Sequence, residues 1–131
     1  ACDHALVVTT PDDVAMRDAE RAIALTEAAG LPRPMLVVNR VRPEMVARGE
    51  MYSPQAVASA LDVPLLGYVP EDRAVLASAA RHESFLDTEG PAKQAMERIA
   101  QRFLGEFVPM PTLERKRHWW ERGSRSTGVG M

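Results

Sequence analysis

Cysteine is nearly missing from this chain of 131 residues: Cys2 stands alone, which excludes a disulfide framework and any multi-cysteine zinc site and fits a reducing compartment such as the cytoplasm. Aromatic residues are also scarce, at 5%, so the 46% hydrophobic content rests on Ala, Val, Leu and Met, the habit of helices packed on a sheet. His4, His82 and His118 are too scattered to suggest a metal site, and no Ser/His/Asp or Cys/His arrangement marks a nucleophile. No apolar run is long enough to span a bilayer, and the opening Ala-Cys-Asp-His-Ala has no cationic stretch of the kind that begins a signal peptide. Ala1 stands only a few residues ahead of a strand, and we read this start as a truncation. Finally, no GxxxxGK[ST] phosphate loop occurs anywhere.

What is present reads as one α/β domain, since this length supports a single core. Ala5 to Thr9 is a buried strand, and Thr10-Pro11-Asp12-Asp13 is a helix start with an N-cap hydroxyl, Pro at the first helical position and acids in the first turn. Val14, Met16, Ala19, Ala22, Ile23 and Leu25 form its apolar stripe, and Gly30 and Pro32 stop it. A strand over 35–39 completes a βαβ unit, with a right-handed parallel crossover expected. A polar loop over 40–52 precedes Ser53-Pro54, which repeats the cap-and-Pro start before a helix over 55–61; a third strand then covers 65–69. Helical periodicity returns over 72–80 and 91–104, the latter burying Ala95, Met96, Ile99, Phe103 and Leu104.

The charge is uneven. Residues 112–131 hold five cations against two acids, a tail of +3, so the body carries −5 of the total of −2. Such a body argues against nucleic-acid binding and points the tail at something anionic. Pro109 and Pro111 separate the two, dividing the chain into 1–108 and 109–131.

Strands without alternation, covered on both faces, belong to parallel sheets, whose ligands bind beyond the carboxyl ends. Asn39 at one such end can offer its amide oxygen to an adenine N6 amino group and its NH2 to N7, although a lone Asn after a strand also caps turns. Pro70 at the next strand end offers a flat ring to a purine face, and the backbone from Val69 to Glu71 faces the same crevice. Adjacent Glu71 and Asp72 read as helix-dipole partners rather than as an acid/base pair.

The motifs Val37-Val-Asn39-Arg40, Arg48-Gly49-Glu50-Met51, Val63-Pro-Leu-Leu-Gly67-Tyr-Val-Pro70-Glu71-Asp72 and Ala74-Val75-Leu76, with Thr9-Thr10-Pro11-Asp12 and Met16-Arg17-Asp18, resemble the C-terminal half of the MinD septum-site-determining ATPases, within the ParA/MinD family of deviant P-loop ATPases. The resemblance implies a three-layer P-loop NTPase-like parallel sheet without its phosphate-binding half. It implies an adenine pocket at Asn39, Arg40, Pro70 and Glu71, with ATP and Mg2+ as ligands of the full-length protein and none retained by this chain alone. It further implies a homodimer sandwiching nucleotide near Asp12, and a surface at Arg17, Asp18 and Glu20 for the division inhibitor MinC and the stimulating factor MinE or an equivalent. An Asp13/Arg17 pair on a solvated helix face explains the same charges without a partner.

In the family's place for an amphipathic membrane helix stand Leu113, Lys116, Arg117, Trp119 and Trp120. Leu113 and Trp120 align seven apart and the cations can snorkel, whereas Trp119 points about 100° away. A peripheral location on the inner face of the cell membrane follows from the resemblance. Two rivals remain: a partitioning or flagellar-placement ATPase of the same fold, and a DNA-binding module using 53–64 as a helix-turn-helix fragment, which Pro64-Leu-Leu-Gly-Tyr-Val cannot continue as a recognition helix.

Overall fold

In the computed structural model, residues 4–84 and 89–105 are described, with Met110 and Leu113. Three strands, β1 (Leu6–Thr9), β2 (Met35–Val41) and β3 (Leu65–Pro70), form one sheet in the order β1-β2-β3, with both pairings parallel. Leu6 pairs with Met35 and Thr9 with Val38, so β1 and β2 run in simple register. Between strands lie α1 (Asp13–Ala28), α2 (Pro43–Ala47) and α3 (Pro54–Leu61); α4 (Arg73–Ala80) and α5 (Pro91–Phe103) follow β3.

Parallel strands must be covered on both faces, and the two core clusters show how this is done. Leu36, Val38 and Val41 of β2 meet Ile23 of α1 and Val57 and Leu61 of α3 on one side. Val37, Leu66 and Val69 meet Ala92, Ala95 and Ile99 of α5 on the other. Alternate residues of β2 thus feed opposite layers, as a period-two strand requires. Helix α5 reaches close to β3 because residue 67 is glycine: a Cβ there would lie 2.4 Å from Ile99 Cγ1. Arg102 Nη1 donates to the Leu66 carbonyl at 3.2 Å, tying the same helix down near its end.

Several local expectations change. The first cap is Asp12, which accepts from Ala15 N at 2.9 Å, so α1 begins at Asp13 and not at Pro11; the Thr10 hydroxyl donates to the Asp12 carboxylate instead of capping the helix. Strand β2 continues to Val41, two residues beyond the expected end, and the loop after it contains α2, opened by Pro43 at its first position. On α1, Ala19 and Ile23 are buried and Met16 packs on the core, whereas Val14 and Leu25 are each 71% exposed. On α5, Met96, Phe103 and Leu104 lie outside the core that this helix makes with β3 and with Val37 of β2. Leu6 and Val8 of β1 are 47% and 62% exposed. Helix α3 ends at Asp62 in the left-handed conformation and leads into β3, so no second helix of a helix-turn-helix follows it.

Candidate functional site

Because all strands run parallel, their carboxyl ends make one rim. Strands β2 and β3 are neighbours there: Val41 faces Pro70, and Glu71 N donates to the Val41 carbonyl at 2.8 Å. From Val38 to Val41, β2 takes three steps where β3 takes two from Tyr68 to Pro70, so Asn39 and Arg40 occupy a one-residue bulge, the device that re-aims side chains at a sheet's end. Arg40 absorbs the extra residue by entering the left-handed region at φ 58, although it is not a glycine.

The bulge orients both side chains. Asn39 Oδ1 accepts from Arg40 N at 2.9 Å, and since a backbone N–H can only donate, this bond identifies the oxygen end of the amide. Arg40 Nη2 approaches Glu71 Oε1 at 3.4 Å, and Arg42 Nε lies 3.1 Å from Glu71 Oε2 and 3.3 Å from Glu44 Oε1. Glu71 is therefore held between two arginines from the neighbouring strand end. Arg40 and Glu71 border a groove of about 260 Å³ together with Thr10, Asp12, Arg42 and Met51. Asn39 borders an adjoining groove of about 520 Å³ that runs along β1 and the Ala15, Ala19 and Ala22 side of α1. The rim brings Asn39, Arg40, Pro70 and Glu71 onto adjacent strand ends, with Asn39 opening toward β1 and Glu71 toward Met51.

The start of α1 closes the rim on its other side. The hydrogen bond from Thr10, then the bond from Ala15 N, holds the Asp12 carboxyl below the usual carboxylate range. Asp13 accepts from the Tyr52 hydroxyl at 2.9 Å, which raises the Tyr52 pKa; the segment carrying Arg48, Gly49 and Glu50 is thereby strapped across the first turn of α1. Arg17, Asp18 and Glu20 lie exposed on α1, and Asp18 pairs with Arg21 at 3.8 Å. Sequence reasoning missed Arg42 and Tyr52. For Arg42, the signal was the Arg42-Pro43 step at an exposed strand end; for Tyr52, no local pattern predicts a partner 39 residues away.

Leu113 is half-buried against the core cluster between the sheet and α1 and α3, so here it packs on the body rather than facing a lipid surface. Lys116, Arg117, Trp119 and Trp120 lie outside the described residues. Among the described residues there is no group of three His, Cys, Asp or Glu side chains that could hold a metal ion, and no helix is long and apolar enough to cross a membrane.

Comparison with known proteins converges on one lineage. The ParA family model, described as a NUBPL iron-transfer P-loop NTPase, matches residues 1–104. The septum site-determining protein MinD of Helicobacter pylori is 35% identical over 122 residues, covering 88% of this chain and 46% of that protein. Among solved structures, the MinD cell division protein of Aquifex aeolicus superposes with a TM-score of 0.78 at 35% identity, covering 84% of this chain and 47% of that one. The MinC:MinD cell division protein complex of Aquifex aeolicus matches at 0.79 and 34%, covering 87% of this chain and 47% of that one. The chain spans about half the length of the relatives it matches. On its parallel sheet, its matching helices and these likenesses, it belongs to the ParA/MinD family of P-loop NTPases.

Proposed function

We propose that this chain is the purine-binding part of a MinD-like ATPase that takes part in placing the division septum. The observation that carries this reading is the shared rim, where Asn39 and Arg40 stand beside Pro70 and Glu71 on adjacent parallel strand ends of a fold that matches MinD at a TM-score of 0.78. With its oxygen turned toward Arg40 N, the Asn39 amide keeps a second lone pair and both N–H donors for an adenine edge, which needs one acceptor and one donor. Guanine presents two acceptors on the matching edge, so the same amide favours adenine.

In this reading, ATP is gripped at its base by these residues. Its phosphates and Mg2+ belong to a phosphate loop that this sequence does not contain, and none of this chain's side chains is assigned to the metal. Two ATP-bound copies face each other near Asp12, and a partner such as MinC or MinE docks on Arg17, Asp18 and Glu20. The MinC:MinD structure supports the MinC assignment only as a property of that relative. The tail residues Lys116, Arg117, Trp119 and Trp120, with Leu113 once it is released from the core, hold the dimer to anionic lipid. Each cation there contributes about 1 kcal/mol, so two tails bind far better than one.

Adenosine and guanosine titrations followed by amide chemical shifts test the base site. Millimolar adenosine should move the Asn39, Arg40 and Glu71 amides, guanosine should move them less, and Asn39→Ala should abolish the difference. Silent rim amides would overturn the reading. Chain 1–131 alone should turn over no ATP. Co-sedimentation with phosphatidylglycerol vesicles should be lost on replacing Trp119 and Trp120 by Ala.

A further inference from the structure

Helix α5 lacks a side-chain cap of its own. Residue 90 is glycine, with no side chain to accept a hydrogen bond, and Pro91 has no N–H, so the first free donor of α5 is Ala92 N. That donor is satisfied from 20 residues away: Ala92 N donates to Asp72 Oδ2 at 3.1 Å. The other oxygen of the same carboxylate, Oδ1, accepts from Ala74 N at 2.9 Å and caps α4. Gly90 is packed so close to this carboxylate that a Cβ there would lie 2.6 Å from Oδ2. Asp72 directly follows Glu71, whose N–H is bonded to the Val41 carbonyl and whose side chain is held by Arg40 and Arg42.

We propose that Asp72 is a positioning residue: by capping α4 and α5 with one carboxylate, it makes the Pro70–Glu71 turn and the start of α5 a single unit, so that occupancy of the rim is felt at α5. The part concerning occupancy rests on the purine reading above; the clasp itself does not. Only a carboxylate suits this place. It has two acceptor oxygens, one for each helix, whereas an amide has one and would turn its NH2 toward a second donor. Helix α5 is fixed to β3 at its far end by Arg102 and by Ile99 over Gly67, so a shift at its start is carried along a rigid element.

The test is residue-resolved amide hydrogen exchange on chain 1–131. Asp72→Asn keeps one acceptor for Ala74 N and severs the bond to Ala92 N. Exchange should rise about tenfold at Ala92, Lys93 and Gln94, the scale of a lost helix cap, with Ala74 to Leu76 little changed. Gly90→Ala, which pushes on the carboxylate from the other side, should raise exchange at both helix starts. Equal exchange at Ala92 in Asp72→Asn and the native chain would overturn the clasp. With millimolar adenosine, the native chain should slow at Glu71 and at Ala92 together, while Asp72→Asn should slow at Glu71 alone. Slowing confined to Glu71 in the native chain would overturn the coupling. If adenosine leaves Glu71 unchanged, the purine reading fails, and with it the coupling, while the ligand-free comparison still decides the clasp.

Discussion

Arg40 has a backbone that works against its residue type. A side chain in the left-handed region costs on the order of 1 kcal/mol or more, and Arg40 has the bond from its N–H to Asn39 Oδ1 and an exposed contact with Glu71 to set against that. Such strain persists where surrounding structure dictates it, and here the dictating structure is the one-residue bulge at the rim. Replacing Arg40 by Gly or by Ala removes the same ion pair but relaxes the backbone only in the glycine variant. We expect Arg40→Gly to be the more stable of the two by about 1 kcal/mol in urea denaturation. Equal midpoints would place the strain elsewhere. Asp12 gives a second test at this scale. Its carboxyl pKa is depressed in the folded chain, so its contribution is fully present above the ordinary carboxylate range and is lost as pH falls through the depressed value. Asparagine also caps helices well but does not titrate, so Asp12→Asn should keep most of the stability at pH 7 and flatten the acid limb of the pH profile. An unchanged acid limb would remove Asp12 from the acid response.

Among elements, α5 depends on a glycine in the strand beneath it. A Cβ at position 67 would drive into Ile99 and crowd Arg102, so Gly67→Ala should cost about 1–3 kcal/mol, the usual scale of overpacking. Shortening the neighbour makes room, and Gly67→Ala combined with Ile99→Ala should cost measurably less than the sum of the single changes in a denaturation cycle. At this scale the sequence was a good guide to the strands, and it was so for a physical reason: buried parallel strands have unbroken apolar runs such as Leu36-Val37-Val38, and turn residues bound them. It also marked helix starts wherever Pro followed a capping residue, as at Ser53-Pro54. It failed where periodicity had to stand in for coverage. Val14, Leu25, Met96 and Phe103 fall on apolar positions, yet which of those are buried depends on where the opposing layer ends, a property of the tertiary fold. Helix α2 escaped notice because five residues are too few to establish a period. In the candidate site, Pro70 was legible as a strand-end residue, whereas Asn39 lies two residues inside β2, and the arginine pair around Glu71 depends on the bulge, whose register no local pattern reports.

For the whole molecule, the asymmetry of the sheet matters most. Among the described residues, strand β1 pairs on one side alone and exposes Leu6 and Val8 on the face away from α1, near the partly exposed Phe103 that meets His4 edge-on at 5.3 Å. Open parallel edges with apolar side chains invite pairing with other chains. Chain 1–131 should therefore self-associate at high concentration, and Val8→Lys should reduce the association while leaving the unfolding midpoint nearly unchanged. Sedimentation velocity read beside thermal unfolding checks both parts, and undiminished association would place the sticky surface elsewhere.

The sheet's strand order is also the order of synthesis, and this bears on how the chain acquires its structure. Each strand docks on the one made just before it, across α1 for β2 and across the short helices α2 and α3 for β3, so loop entropy stays small at each step. Strand β2, flanked on both sides and with Leu36, Val38 and Val41 wholly enclosed, is the one element that every later step requires. Lesions there should slow acquisition of the native state, whereas lesions in α5, the last helix among the described residues, should chiefly hasten its loss.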